Sequence, residues 1–143
     1  MNSYKHIFFD LDRTLWDFDY NSKKTLKDIY NSLNLSSHGI RNSNLFINTY
    51  KKVNFNLWMK YRDGVLSKEE LRSSRFNNTL SVLGISNQSL AKEISLLYIQ
   101  NSPRQTKLMP NTEYILNEIK NKYKLHIITN GFKEVQIIKM KRS

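Results

Sequence analysis

The residues of this chain best able to do chemistry stand at the ends of two apolar runs. His6-Ile7-Phe8-Phe9 leads into Asp10-Leu11-Asp12-Arg13-Thr14, and Leu125-His126-Ile127-Ile128 leads into Thr129-Asn130-Gly131-Phe132. Short apolar runs bounded by turn residues read as buried strands of a parallel sheet. Side chains i and i+2 leave a strand on the same side, which aims the Asp10 and Asp12 carboxylates at one point. That point is the C-terminal end of a strand, where open α/β sheets bind their ligands. Two crowded carboxylates repel each other and require a cation, a proton or both. Alone, Asp-x-Asp reads equally as a solvated turn, and Thr-Asn-Gly as an ordinary one. Their occurrence together, each after a strand, favours chemistry.

The first strand is expected over Lys5 to Leu11, followed by a turn or short flap at Trp16-Asp17-Phe18-Asp19. Leu26, Ile29, Tyr30 and Leu33 recur at helical spacing, with Asn21 or Ser22 as the expected cap. A second helix is expected from Ser43 to Tyr61, with Gly64 just beyond its end and with Trp58 and Tyr61 in the core. Ser67-Lys68-Glu69-Glu70 is a capping box opening a third helix, which Gly84 closes. A fourth begins near Ser86 or Asn87 and ends near Ser102-Pro103. Four antiparallel helices with short loops can share one core. After Pro110 comes an amphipathic helix, Thr112 to Tyr123, with Ile115, Leu116 and Ile119 inward. The second strand follows over Lys124 to Thr129, and a last helix starts near Lys133. Strand, helical insert, helix, strand and helix, in that order, begin a Rossmann-like, doubly wound α/β sheet. The expected division is a partial α/β core at 1–17 and 104–143, with a helical cap at 18–103. Two parallel strands alone do not complete a sheet buried on both faces, so the sheet reads as unfinished at residue 143.

The chain has 143 residues, and Lys and Arg outnumber Asp and Glu by 23 to 12, for a net charge of +11. That balance suits an anionic partner, but the basic residues are scattered and read as a solvated surface. Cys is absent, which excludes disulfides and thiolate metal sites and fits a reducing compartment. No signal-peptide pattern is present, and no apolar run approaches the roughly 20 residues that span a bilayer. A cytoplasmic protein with no membrane association is the expectation.

The two motifs and the insert between them resemble the haloacid-dehalogenase-like hydrolase superfamily. Its first motif is an apolar strand ending Asp-x-Asp-x-Thr, matched by Asp10, Asp12 and Thr14; its second is an apolar strand ending in Thr or Ser, matched by Thr129. The wording Asp-x-Asp-x-Thr-Leu-Trp-Asp-Phe, then Ile-Ile-Thr-Asn-Gly-Phe with a following Gln, here Gln136, is similar to the pyrimidine 5'-nucleotidase-like subgroup. The resemblance implies an α/β core with an inserted four-helix cap and a Mg²⁺-dependent phosphatase working through an aspartyl-phosphate. Asp10 would be the nucleophile and Asp12 the general acid and base. Mg²⁺ would be bound by the Asp10 carboxylate and the Asp12 main-chain carbonyl. Thr129, with the backbone N–H groups of Asn130 and Gly131, would bind phosphate. The implied substrate is a small phosphate ester, a nucleoside monophosphate by the subgroup's wording. An acid at position 12 favours phosphoryl esters over halides, since a halide needs no proton to leave.

Two features depart from the pattern. Position 13, often Gly in the superfamily, is Arg. The third-motif lysine and the fourth-motif acids are not found; Lys133, Lys139 and Lys141 fall on the helix after the second strand, the wrong place for that lysine. The chain therefore reads as the N-terminal part of a longer phosphatase and is expected to be nearly inactive alone. The alternatives are a non-catalytic association module, with exposed sheet edges driving a homodimer, and a related phosphotransferase such as a sugar-phosphate phosphatase. A nucleic-acid-binding module would declare itself by steeply salt-dependent binding and is not expected.

Overall fold

The computed structural model describes residues 4–143. The chain divides into two compact units, residues 23–101 and, on either side of them, the described residues of 1–22 and 102–143.

The flanking unit begins with strand β1, His6–Phe9, which pairs in parallel with β2, Lys124–Ile127, in the register His6↔Lys124 to Phe9↔Ile127. The ladder runs on past the strand end through Ile128 N–H to the Phe9 carbonyl at 2.8 Å. Neither strand is buried as its apolar sequence suggests: Phe8 is 62% and Ile127 38% exposed. With two strands among the described residues, both outer edges of the ladder are unpaired, and only the face carrying Ile7 and Phe9 is partly covered.

Beyond β1 the chain closes a tight loop. The Leu15 and Trp16 N–H groups donate to the Leu11 carbonyl, and Arg13 N–H donates to the Trp16 carbonyl. Arg13 sits at φ 66, a left-handed conformation that glycine adopts without strain, which explains why glycine suits this position. Its guanidinium pairs with Asp19 at 3.0 Å and lies over the Phe18 ring at 4.6 Å, offsetting some of the cost. Leu11, Leu15 and the fully buried Trp16 form this unit's core, packed by Phe9, Phe18, Leu108 and Leu116.

A second segment of the same unit clamps the loop. Trp16 bridges to Leu108, and its indole N–H donates to the Gln105 carbonyl at 3.1 Å. Helix α1, Phe18–Ser32, is capped by Asp17, whose carboxylate accepts from Tyr20 N–H at 2.9 Å. Asn21 and Ser22, the expected caps, are buried inside the helix instead; the Asn21 amide both donates to the Lys107 carbonyl and accepts from the Lys107 N–H.

In the central unit follow a short 3₁₀ turn, Leu35–His38, and helices α2, Ser43–Arg62, α3, Lys68–Val82, and α4, Gln88–Asn101. Both bonds of the Ser67–Glu70 capping box are made, and Gly64 and Gly84 lie at positive φ beyond α2 and α3. Tyr50 stacks on Phe76, and Tyr98 meets both rings at an angle, with centroids 5.0–5.5 Å apart, in a core shared with Leu26, Phe46 and Ile94. Trp58 and Tyr61 meet edge to face, half-buried and outside that cluster.

The chain returns through α5, Thr112–Ile119, shorter than its pattern suggests, and ends in α6, Lys133–Arg142. Ile115 is 45% exposed, not inward; Thr112 takes the buried position and donates its hydroxyl to the Leu15 carbonyl. Among the described residues no helix is long and apolar enough to cross a membrane.

Arg13→Gly and Arg13→Ala both lose the Asp19 pair, but only glycine relieves the left-handed strain. Denaturant unfolding should find the glycine variant more stable than the alanine variant by about 1 kcal/mol.

Candidate functional site

Asp10 and Asp12 lie just past the end of β1, and Thr129 just past β2. Parallel pairing of the two strands brings both tips to the same end of the sheet. Asp10 is exposed, and its carboxylate accepts from the adjoining Leu11 N–H at 2.8 Å. Asp12 is held quite differently. One oxygen, Oδ1, lies 2.7 Å from Lys139 Nζ; the other, Oδ2, accepts from Gln136 Nε2 at 2.8 Å. The same Gln136 Nε2 donates to Thr129 Oγ1 at 2.7 Å. One amide nitrogen thus joins the first motif to the second. Thr129 Oγ1 also accepts from Gly131 N–H at 3.2 Å, so that N–H is turned inward to the hydroxyl. Asn130 is exposed at the turn, and Phe132 leads into α6.

Gln136 and Lys139 stand three residues apart on α6, on one face of the helix, and both are buried. The place of Lys139 in the sequence does not point to the site, yet its long side chain reaches Asp12 alongside two aromatic rings. Its ammonium lies 4.3 Å from the Trp16 ring centroid and 5.6 Å from that of Phe18. Burial pushes its pKa below the usual lysine range. The Asp12 charge and hydrogen bond, and more weakly the Asp10 charge, oppose that fall, while Arg13 adds to it. The unfolded chain therefore holds this proton more tightly than the folded one does. The burial cost is present in full below the folded pKa and fades as pH climbs from there to the ordinary lysine range.

Gly131 has a steric reason beside this cluster: a Cβ there would overlap the Gln136 side-chain amide and its Cγ. The Thr-Asn-Gly wording is thus tied to Gln136 by close approach.

No family model matches the chain. It is 26% identical over 137 residues to pyrimidine 5'-nucleotidase YjjG of Escherichia coli, covering 96% of this chain and 56% of that protein. It is 27% identical over 143 residues to pyrimidine 5'-nucleotidase PynA of Streptococcus pneumoniae, covering 98% and 56%. Among solved structures, YfnB of Bacillus subtilis, a HAD-hydrolase by name and crystallised with magnesium, aligns at a TM-score of 0.84 with 21% identity, covering 98% of this chain and 60% of that one. The defluorinating L-2-haloacid dehalogenase Rha0230 aligns at 0.72 with 15% identity, covering 99% and 57%. The fold is therefore the haloacid-dehalogenase-like core with a helical cap inserted after the first strand. In sequence the chain is similar to these relatives at 26–27% identity, and it spans somewhat more than half the length of the curated relatives it matches.

Asp12→Asn removes the charge that supports Lys139 while leaving its burial unchanged. The Lys139 pKa should fall further, read from a pH titration of its side-chain NMR signals; an unchanged or raised value would contradict the ion pair.

Proposed function

We propose that the chain carries the nucleophile and phosphate-binding part of a Mg²⁺-dependent phosphomonoester hydrolase acting on nucleoside 5'-monophosphates. The observation carrying this reading is the bond pair through Gln136 Nε2, which puts the Asp12 carboxylate and the Thr129 hydroxyl beside one atom. The pyrimidine 5'-nucleotidase names of two relatives support the substrate class. In this reading Asp10, exposed and unencumbered by a cationic partner, attacks phosphorus and forms the aspartyl-phosphate as the ester P–O bond breaks. Asp12, in its protonated form, gives its proton to the leaving alcohol. It then takes a proton from the water that attacks phosphorus and frees Asp10. Thr129 donates its hydroxyl to a phosphoryl oxygen. Lys139 supplies positive charge beside Asp12.

The donor set fits magnesium in kind. Asp10 Oδ2 lies outside the bond to Leu11 N–H, and the Asp12 main-chain carbonyl lies outside the bonds that tie Leu11 and Arg13 to Trp16. Both are hard oxygen donors. Among the described residues no group of three or more His, Cys, Asp or Glu could hold an ion, so these two atoms would be part of a shell. When bound, the ion supplies charge neutralisation between the Asp10 carboxylate and the phosphoryl group. The Asp12 side chain, engaged by Lys139 and Gln136, is left for proton transfer.

The test is phosphate release from a nucleoside monophosphate panel with Mg²⁺, using a polypeptide of the relatives' length that contains residues 1–143. Asp10→Asn should abolish turnover, a loss of at least about a thousandfold. Turnover surviving that change, or a panel on which no phosphate appears, would overturn the reading.

A further inference from the structure

We infer that Gln136 is a positioning residue that compels the Thr129 hydroxyl to act as a donor towards a bound phosphoryl oxygen. The inference rests on the phosphate-site reading above and deepens it.

The argument is one of hydrogen-bond valence. An ionised carboxylate accepts and cannot donate. In the resting chain Asp12, paired with the Lys139 ammonium, therefore admits only an N–H at its Oδ2, and this fixes which end of the Gln136 amide faces it before substrate binds. With Nε2 so oriented, its two hydrogens serve Asp12 Oδ2 and Thr129 Oγ1. The Thr129 oxygen accepts that hydrogen and a second from Gly131 N–H. Both lone pairs of the hydroxyl are then occupied. Its one remaining hydrogen finds no acceptor among the described residues and is left for a ligand. The Gln136 carbonyl oxygen does not compete for it: this oxygen is buried with no partner, on the far side of the amide. A glutamate at 136 would invert the arrangement, accepting the threonine hydrogen and repelling Asp12. Gly131 keeps the amide in place, since any larger residue would displace it.

The test is NMR titration of the 143-residue chain with inorganic phosphate, following the amides of Thr129, Asn130 and Gly131. Gln136→Met, which keeps bulk and removes the donors, should weaken phosphate binding about tenfold. Thr129→Val should weaken it comparably, and Thr129→Ser should restore it. In the Thr129→Val background Gln136→Met should cost nothing more, because the hydroxyl it orients is gone. Gln136→Glu should weaken binding at least as much as Gln136→Met, and it takes the place of that variant if methionine unfolds the helix. Equal binding with and without the glutamine, or an equal loss whether or not residue 129 carries a hydroxyl, would overturn this inference alone. Wild-type chain that shows no phosphate-dependent shift would overturn the phosphate-site reading and the inference with it.

Discussion

The Asp12 carboxylate, gripped at both oxygens by side chains from a helix more than 120 residues downstream, is the constraint on which the flanking unit turns. The β1–β2 ladder is only four residue pairs long, and both strands are largely open to solvent. A two-stranded element of that size is marginal by itself. What fixes the strand tips relative to α6 is the charged contact, made where the Asp12 side chain is 23% and the Lys139 side chain 5% exposed. A buried ammonium is expensive, and its partner recovers only part of that expense. Removing either partner would leave the other charge desolvated and unpaired, which costs more than the pair itself contributes. The clamp therefore dictates geometry more than it adds stability.

The loop between β1 and α1 serves the same constraint from the other side. Trp16 makes the floor beneath Lys139 and is itself fixed by a backbone bridge on each side and by its indole bond to Gln105. Asn21 and Thr112 fasten this loop to the returning chain through the backbone of Lys107 and Leu15. Each of these bonds satisfies a buried polar group with a main-chain partner, so the loop that follows β1 and carries Asp12 is held by backbone bonds of its own. Arg13 can then occupy a left-handed turn because the surrounding bonds over-determine its backbone.

Much of this was legible in the sequence, because the features concerned are local. The Ser67 capping box, the glycines ending α2 and α3 and the apolar runs before Asp10 and Thr129 each depend on residues a few positions apart. The misreadings come from contacts made at a distance. Asn21 and Ser22 have good capping chemistry, but Asp17 lies where the chain turns, and Asn21 is recruited by Lys107, 86 residues away. Ile115 has the spacing of an inward residue, yet it faces solvent while Thr112 is drawn in by the Leu15 carbonyl. The place of Lys139 in the sequence does not match a motif lysine. A side chain of four methylenes is not confined to the register of its helix, and nothing short of the packed Trp16 and Phe18 rings reveals where its charge ends. The i, i+3 spacing from Gln136 was the available clue, since it places the lysine on the face that carries the motif glutamine.

The orphaned Gln136 carbonyl shows which interaction prevails in the site. An unsatisfied buried carbonyl costs about 1–3 kcal/mol, and rotating the amide by half a turn would let that oxygen accept from Thr129. The same rotation would set a carbonyl oxygen against Asp12 Oδ2 and forfeit a charge-assisted bond of about 1.5–3 kcal/mol, with like-charge repulsion added. The sum favours the observed orientation, but only while Lys139 keeps Asp12 an acceptor. The electrostatic choice made at Asp12 is therefore transmitted, through one amide whose carbonyl goes unsatisfied, to the direction in which a threonine hydroxyl points.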